Sequence, residues 1–131
     1  MAYPVTVEWQ EHREPVAVAC ADDLSSLLDS IALEAEPDHP LLAMIHNEDG
    51  TLTNGLGAPD GTLNHITPSN DPPYMICVGN SAAEGVIDFY LAGHHTQFLM
   101  SNTVPNEMAR RAALEYAETR KLPVNIVWEE V

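Results

Sequence analysis

Basic residues are scarce in this chain. Five Lys and Arg stand against twenty Asp and Glu, which gives a formal net charge of −15 over 131 residues. Arg13 is the only Lys or Arg before Arg110, so most of the chain is built with acids and almost no cations. Nucleic-acid backbones and anionic membrane surfaces are both bound through Lys and Arg. We therefore expect neither a nucleic-acid partner nor a membrane partner.

Cysteine is scarce as well. Cys20 and Cys77 lie far apart and form no C-x-x-C pair. This spacing predicts neither a disulfide framework nor a thiolate metal site. We expect both to be small, buried residues in a reducing compartment.

Long apolar runs are absent. None approaches the roughly 20 residues that a membrane-spanning helix needs, and the opening Met1–Pro4 has no features of a secretory signal. Apolar residues nevertheless make up 45% of the chain, as in folded proteins. The expectation is a single domain over residues 1–131 in the cytoplasm, with the oligomeric state left open.

Hydrophobic patterns predict the elements of the first third. Residues 3–10 alternate between apolar and polar, which is typical of a half-buried strand, and the apolar run 15–20 predicts a second strand. Asp22 and Asp23 favour a helix start. Apolar residues at helical spacing then predict a helix that ends before Pro37: Leu24, Leu27, Leu28, Ile31 and Ala35.

Short apolar runs separated by turn residues fill the middle of the chain. Turns are predicted at 48–50 and 59–61 and a loop at 68–73. Asn54–Gly57 lacks the lysine of a phosphate-binding loop, so it predicts a turn or a strand bulge and no cofactor. The predicted strands are 41–45, 51–56, 63–67, 74–78 and 86–91. Such a meander suits an antiparallel sheet with one covered face.

The last part predicts a second helix and a final strand. Pro105 fits the first turn of the helix, and Val124, Ile126 and Trp128 alternate in the strand. The predicted fold class is α+β: an antiparallel β-meander sheet packed by two α-helices, with a closing C-terminal strand.

Six histidines raise the question of metal or acid–base chemistry. His94 and His95 are adjacent, so on a strand they point to opposite faces. A metal site would have to combine His46, His94 or His95 with Asp88, and that loose spacing matches no metal-binding motif. We expect no metal, and we expect three further histidines to be solvated in turns or at edges: His12, His39 and His65.

Nucleophilic catalysis has no recognisable signature. No serine lies in a G-x-S-x-G sequence, and Cys77 falls within an apolar strand, where a thiol is usually inert. The sequence therefore predicts no catalytic residue. The acidic surface has a different use, because a broad negative field speeds association with a basic protein.

Three short segments carry a family resemblance. Val104–Ala113 begins a helix at a proline and bears paired arginines, Leu122–Glu130 ends in Trp-Glu-Glu, and Phe89–His94 places aromatics before Gly-His. Together they resemble the first catalogued family of immunity proteins from bacterial polymorphic toxin systems, with the best match over residues 86–131.

The resemblance implies a cytoplasmic, non-enzymatic inhibitor that binds a cognate toxin and blocks its active site. Toxins of the deaminase type and others that attack nucleic acid are among the partners that it implies. Trp128 matches the family's ending, where we expect it to be a core anchor.

Loop position and residue type select the candidate contacts with a basic toxin surface. They are Glu48, Asp49, Asp60, Asp71, Tyr74, Asp88 and Tyr90. A small enzyme or ligand-binding protein with a pocket over the sheet is the alternative, and its candidate catalytic residues are His46, His65, Asp88, Tyr90 and His94. A third possibility is a scaffold or self-associating protein.

Overall fold

The structure is a computed structural model that describes residues 3–9, 14–36, 38–91 and 94–131. Two α-helices are present in these residues, α1 (Ala21–Glu34) and α2 (Asn106–Thr119), and neither is long and apolar enough to cross a membrane. The strands of the described residues are β1 (Val5–Glu8), β2 (Val16–Val18), β3 (Leu41–Asn47), β4 (Gly50–Leu56), β5 (Asp60–Gly61), β6 (Leu63–Ile66), β7 (Met75–Val78), β8 (Val86–Leu91), β9 (His94–Leu99), β10 (Val104–Pro105) and β11 (Val127–Glu130).

The sheet is mostly antiparallel, which confirms the predicted α+β class. Its strands follow the order β11-β7-β6-β4-β3-β1-β2, while β5 and β10 form a separate two-stranded sheet. The strands from β3 to β7 give the predicted meander. One pairing departs from the predicted antiparallel arrangement, because β8 meets β3 in parallel at the pair Leu41 and Tyr90.

Helix α1 follows from its periodic apolar residues. Leu24, Leu28 and Ile31 are fully buried, as their spacing predicts. Asp22 and Asp23 lie in its first turn, where carboxylates complement the helix dipole. The helix ends at Glu34, before Pro37 as predicted, and Pro37 itself lies outside the described residues.

Helix α2 is held against the sheet by small residues and one large one. Pro105 immediately precedes the helix, and Arg120 ends it in the left-handed conformation with φ of 62°. Small side chains allow the helix to approach the sheet closely. Its buried residues are Ala109, Ala112, Ala113, Tyr116 and Ala117.

Both helices cover the same face of the sheet. Because strand residues alternate between faces, Ile45 on β3 and its partner Leu52 on β4 point to the helices. His46 and its partner Thr51 point to the opposite face. The main core therefore lies between the helices and this side of the sheet.

The β8–β9 hairpin packs over part of the opposite face. Phe89 is fully buried there, and a Cβ at Gly55 would lie 2.5 Å from the Phe89 ring. Gly55 therefore leaves the space that the ring fills. Phe98 meets Phe89 edge to face, with ring centroids 5.8 Å apart.

Several sequence predictions are corrected by the fold. Strand β9 was not predicted, and the expected turn at 59–61 contains the short strand β5. Gly55 lies inside β4, as the predicted strand 51–56 has it, and not in the turn that the Asn54–Gly57 segment also allowed. The final strand begins only at Val127, and Val124 is 90% exposed. Cys77 is buried as expected, but Cys20 is exposed; both are free thiols.

Candidate functional site

The outer side of the β8–β9 hairpin brings two of the candidate contacts together. In the antiparallel register Val86 lies opposite Leu99, Asp88 opposite Gln97, and Tyr90 opposite His95. Because these pairs alternate with the inward-facing Phe89 and its neighbours, their side chains share the outer face. We call this set the hairpin face: Val86, Asp88, Tyr90, His95, Gln97 and Leu99.

A polar cluster occupies the centre of the hairpin face. The Nε2 atom of His95 lies 2.8 Å from Oδ1 of Asp88, and the side-chain amide of Gln97 donates to the same oxygen at 3.3 Å. The hydrogen bond from His95 lowers the pKa of Asp88. The carboxylate is thus held ionised and oriented while its side chain remains 43% exposed.

Aromatic rings and exposed apolar side chains flank this cluster. Tyr90 stacks on His39 with ring centroids 4.4 Å apart and lies 5.7 Å from the ring of His95. At the other end, Val86 is 50% and Leu99 is 57% exposed. This mixture of tyrosine, apolar and hydrogen-bonding groups is typical of protein–protein contact surfaces.

Sequence reasoning finds only part of this face. The alternation along β8 places Asp88 and Tyr90 on one side, and both are among the candidates. Gln97 is missed, and His95 is considered only as a metal ligand with Asp88, because β9 has no alternating apolar pattern. His39 is missed because only the fold stacks it on Tyr90.

Four other candidates lie at one end of the sheet. Register places the β3–β4 turn beside the β6–β7 loop, since Thr51 pairs with Ile66. The turn carries Glu48 and Asp49, and the loop carries Asp71 and Tyr74.

Glu48 and Asp49 already have an internal partner. Arg120 at the end of α2 lies 2.9 Å from a carboxylate oxygen of Glu48 and 3.6 Å from one of Asp49. In the loop, the hydroxyl of Tyr74 donates to the carbonyl of Asn70. These two segments are therefore tied to the protein's own structure.

Asp60 lies apart from both groups. It lines an open groove of about 510 Å³ between the start of α2 and the end of β7. Most of the groove is apolar, with Val104, Met108 and Val127 among its lining residues, and none of the histidines that the structure describes lines it.

The residues of the enzyme alternative are not brought together. His46 faces away from the helices and contacts Thr51 at 2.7 Å and Glu8 at 3.1 Å. His65 faces the helices, half-buried, with its Nε2 atom 3.1 Å from the hydroxyl of Tyr116. It is therefore not solvated as expected, and burial lowers its pKa. Asp88 and Tyr90 lie on the hairpin face, and His94 on the same hairpin points to its other side.

The side chains of the described residues offer little for cofactor or nucleophile chemistry. No group of three or more His, Cys, Asp and Glu among them could hold a metal ion. Burial raises the pKa of the Cys77 thiol, which disfavours its reactive thiolate.

Comparison with known proteins agrees with the resemblance noted from the sequence. No curated protein matches the chain at a significant level. A family model described as Immunity protein Imm1 matches residues 12–130, which include both helices and the whole hairpin face. The chain belongs to the Imm1 family of immunity proteins.

Proposed function

We propose that this protein neutralises a toxin that attacks nucleic acid, by covering the toxin's basic substrate-binding surface with its own acidic surface in the cytoplasm. Membership in the Imm1 family supports neutralisation of a toxin. The nature of the toxin follows from charge, because an enzyme that acts on nucleic acid needs a positive surface for the phosphates. An acidic protein can compete for that surface.

The observation that carries the proposal is the engagement of the few cations within the fold. Arg110 lies 2.6 Å from Asp29, Arg120 holds Glu48, and Arg111 lies 3.8 Å from Glu107. Five Lys and Arg cannot neutralise twenty acids, so a net charge of −15 remains to act on a partner. Such a field speeds association and weakens as salt screens it.

The hairpin face is the part of this surface that best fits a contact site. Its carboxylate, Asp88, is held by the exposed His95 and Gln97, and no arginine of the described residues is among its contacts. Tyr90 beside it offers a large, rigid side chain of the type found at binding hot spots. Glu48, Asp49, Asp60, Asp71 and Tyr74 remain predicted contacts of lower rank.

Two tyrosines provide a matched test. Tyr90 lies on the hairpin face, whereas Tyr74 lies in the β6–β7 loop and is 36% exposed. The partner is the toxin domain encoded directly upstream of this chain's gene, purified in an inactivated form. Binding is measured by calorimetry at low and high salt. We expect Tyr90→Ala to weaken binding by about tenfold or more and Tyr74→Ala to change it by less than about threefold.

Three outcomes would contradict parts of the proposal. If the unmodified protein forms no complex and leaves nucleic-acid cleavage or modification by the active toxin unchanged, neutralisation of this toxin is excluded. A complex whose affinity does not change with salt would exclude the electrostatic part. Equal effects of the two substitutions, with thermal unfolding unchanged, would move the contact away from the hairpin face.

A further inference from the structure

In the nine-stranded sheet, three strands have a neighbour on one side only within the described residues. These are β2, β9 and β11. Strand β2 has three residues, and the four residues of β11 include Glu129 and Glu130. Strand β9 has six residues and contains no Lys, Arg, Asp, Glu or Pro. Short length and charge are devices that keep sheet edges from pairing with other chains. Strand β9 has neither, and all its residues except Phe98 are exposed.

The hydrogen bonds around the hairpin show which amides face this edge. The N–H of Met100 donates to the carbonyl of Gly85 at 3.0 Å. Hydrogen-bonded and non-hydrogen-bonded pairs alternate along an antiparallel ladder. Because Met100 and Gly85 form a hydrogen-bonded pair, the pairs that carry His95, Gln97 and Leu99 are non-hydrogen-bonded. The N–H and C=O groups of these three residues therefore point away from β8. Tyr90 lies opposite His95, and its N–H donates to the carbonyl of Pro40 at 2.8 Å. This bond shows that the Tyr90 amide points away from β9, as expected for a non-hydrogen-bonded pair.

We propose that a strand of the toxin pairs with the free edge of β9 and extends the sheet across the interface. This inference rests on the proposed function and specifies how the partner is held. Main-chain hydrogen bonds to an exposed edge give affinity, while alternate side chains give specificity. His95, Gln97 and Leu99 would contribute both, because their amides face the edge and their side chains belong to the hairpin face.

Charge selects a toxin strand over a second copy of this protein. Two copies would each bring a net charge of −15 to the interface, and like charges at that density repel. A strand from a basic protein would be attracted to it. Its residue beside Leu99 is expected to be apolar, and the residue beside Gln97 and Asp88 to be polar or basic.

Proline at position 97 tests the edge directly. Gln97→Pro removes an N–H that points outward and leaves the ladder to β8 intact, a position at which edge strands tolerate proline. The paired strand would lose one hydrogen bond and leave a buried carbonyl without a donor. We expect binding of the inactivated upstream toxin domain to weaken by about tenfold or more. Gln97→Thr is the matched reference, since it loses the same side chain and keeps the N–H. Any weakening of binding in Gln97→Pro beyond that in Gln97→Thr therefore measures the main-chain hydrogen bond.

Hydrogen exchange of the unmodified protein gives a second readout that does not depend on the variant's folding. Complex formation should slow exchange at the amides of Gln97 and Leu99. The amide of Phe98 already faces β8 and should change little. Pairing of a toxin strand with the β9 edge predicts this alternating pattern of protection. Burial of the hairpin without strand pairing would slow exchange at all three amides alike.

The outcomes separate this inference from the proposed function. If the unmodified protein binds and Gln97→Pro binds equally well with unchanged unfolding, strand pairing is wrong while toxin binding stands. A complex that forms without alternating protection of the β9 amides from exchange would likewise exclude strand pairing and leave toxin binding standing. If the free protein is a dimer that Gln97→Pro dissociates, the edge belongs to a second copy and the inference is overturned. If the unmodified protein does not bind the toxin at all, the proposed function itself fails.

Discussion

The β3–β4 turn and the β8–β9 hairpin both present predicted contact residues, yet they use them differently. In the turn, Glu48 and Asp49 are held by Arg120. In the hairpin, the side chains of Asp88 and Tyr90 contact exposed histidines, and Phe89 alone on β8 is fully buried. In so acidic a chain, the position of the few arginines decides which carboxylates are available to a partner.

The β3–β4 turn is also anchored by hydrogen bonds to a buried side chain of α2, which the β8–β9 hairpin lacks among its described contacts. The hydroxyl of Tyr116 on α2 contacts His65 and donates to the side chain of Asn47 at 3.1 Å. Burial raises the pKa of Tyr116 and lowers that of His65, so both side chains stay neutral near pH 7. The Oδ1 atom of Asn47 also accepts the amide of Asp49 at 2.8 Å. A neutral, partly buried network thus fixes the turn to the helix, and the hairpin has no equivalent among its described contacts.

The largest expected effect comes from removing the Phe89 ring, which packs the hairpin against the sheet. Phe89→Ala deletes a fully buried aromatic side chain and should lower the free energy of unfolding by about 3 kcal/mol or more. Because this packing holds the hairpin face in place, toxin binding should weaken as well. Denaturant unfolding and calorimetry measure the two effects separately.

Phe89→Leu is the matched control for this change. It keeps most of the apolar volume, and we expect a loss of about 1 kcal/mol with toxin binding nearly retained. If Phe89→Ala lowered stability and left toxin affinity unchanged under conditions where the protein is folded, the hairpin would not be the contact site. The comparison between the two regions would then be broken.

A smaller effect should appear as a pH dependence of the turn. Because the pKa of His65 in the folded protein is below its ordinary value of 6.5, the unfolded chain takes up the proton first as the pH falls. Stability contributed by neutral His65 is therefore complete above pH 6.5 and decreases as the pH falls below it. Asp88 has a lowered pKa, so its contribution is lost only as the pH falls below about 3.8.

Unfolding in denaturant at pH 7.5 and at pH 5.5 isolates the histidine. His65→Gln keeps a polar group that can reach Tyr116 but does not titrate. The loss of stability between the two pH values should be smaller in this variant than in the unmodified protein. An identical loss in both proteins would show that the buried network does not sense pH through His65.

Periodic elements of the fold can be predicted from the sequence, and context-dependent ones cannot. The spacing of Leu24, Leu28 and Ile31 predicts α1 because one helix face is buried. Strand β9 escapes prediction because it lies at an edge and buries almost nothing, so its sequence needs no alternation. Val124 alternates with Ile126 as in a strand, but the backbone N–H of Val124 donates to Glu115 on α2, and the strand starts later.

The same limit applies to the site. Asp88 and Tyr90 share a face by simple alternation, so the β8 half of the hairpin face can be predicted. Its other half depends on contacts between segments distant in sequence. His39 joins Tyr90 because β8 runs parallel to the start of β3, and the ring of Phe89 enters the space left by Gly55. A single sequence does not reveal which glycine faces which ring.

The smallest effect distinguishes the two acidic regions directly. Glu48→Gln removes a carboxylate that is 86% exposed and paired with Arg120, and surface ion pairs of this kind contribute about 0.5 kcal/mol or less. We expect little change in stability and an association rate with the toxin within about twofold of the unmodified protein, because Arg120 already offsets this charge. Asp88→Asn should slow association more, since none of the arginines that the structure describes contacts Asp88. Stopped-flow measurements at low salt compare the rates, and a larger effect of Glu48→Gln would place the turn, and not the hairpin, at the interface.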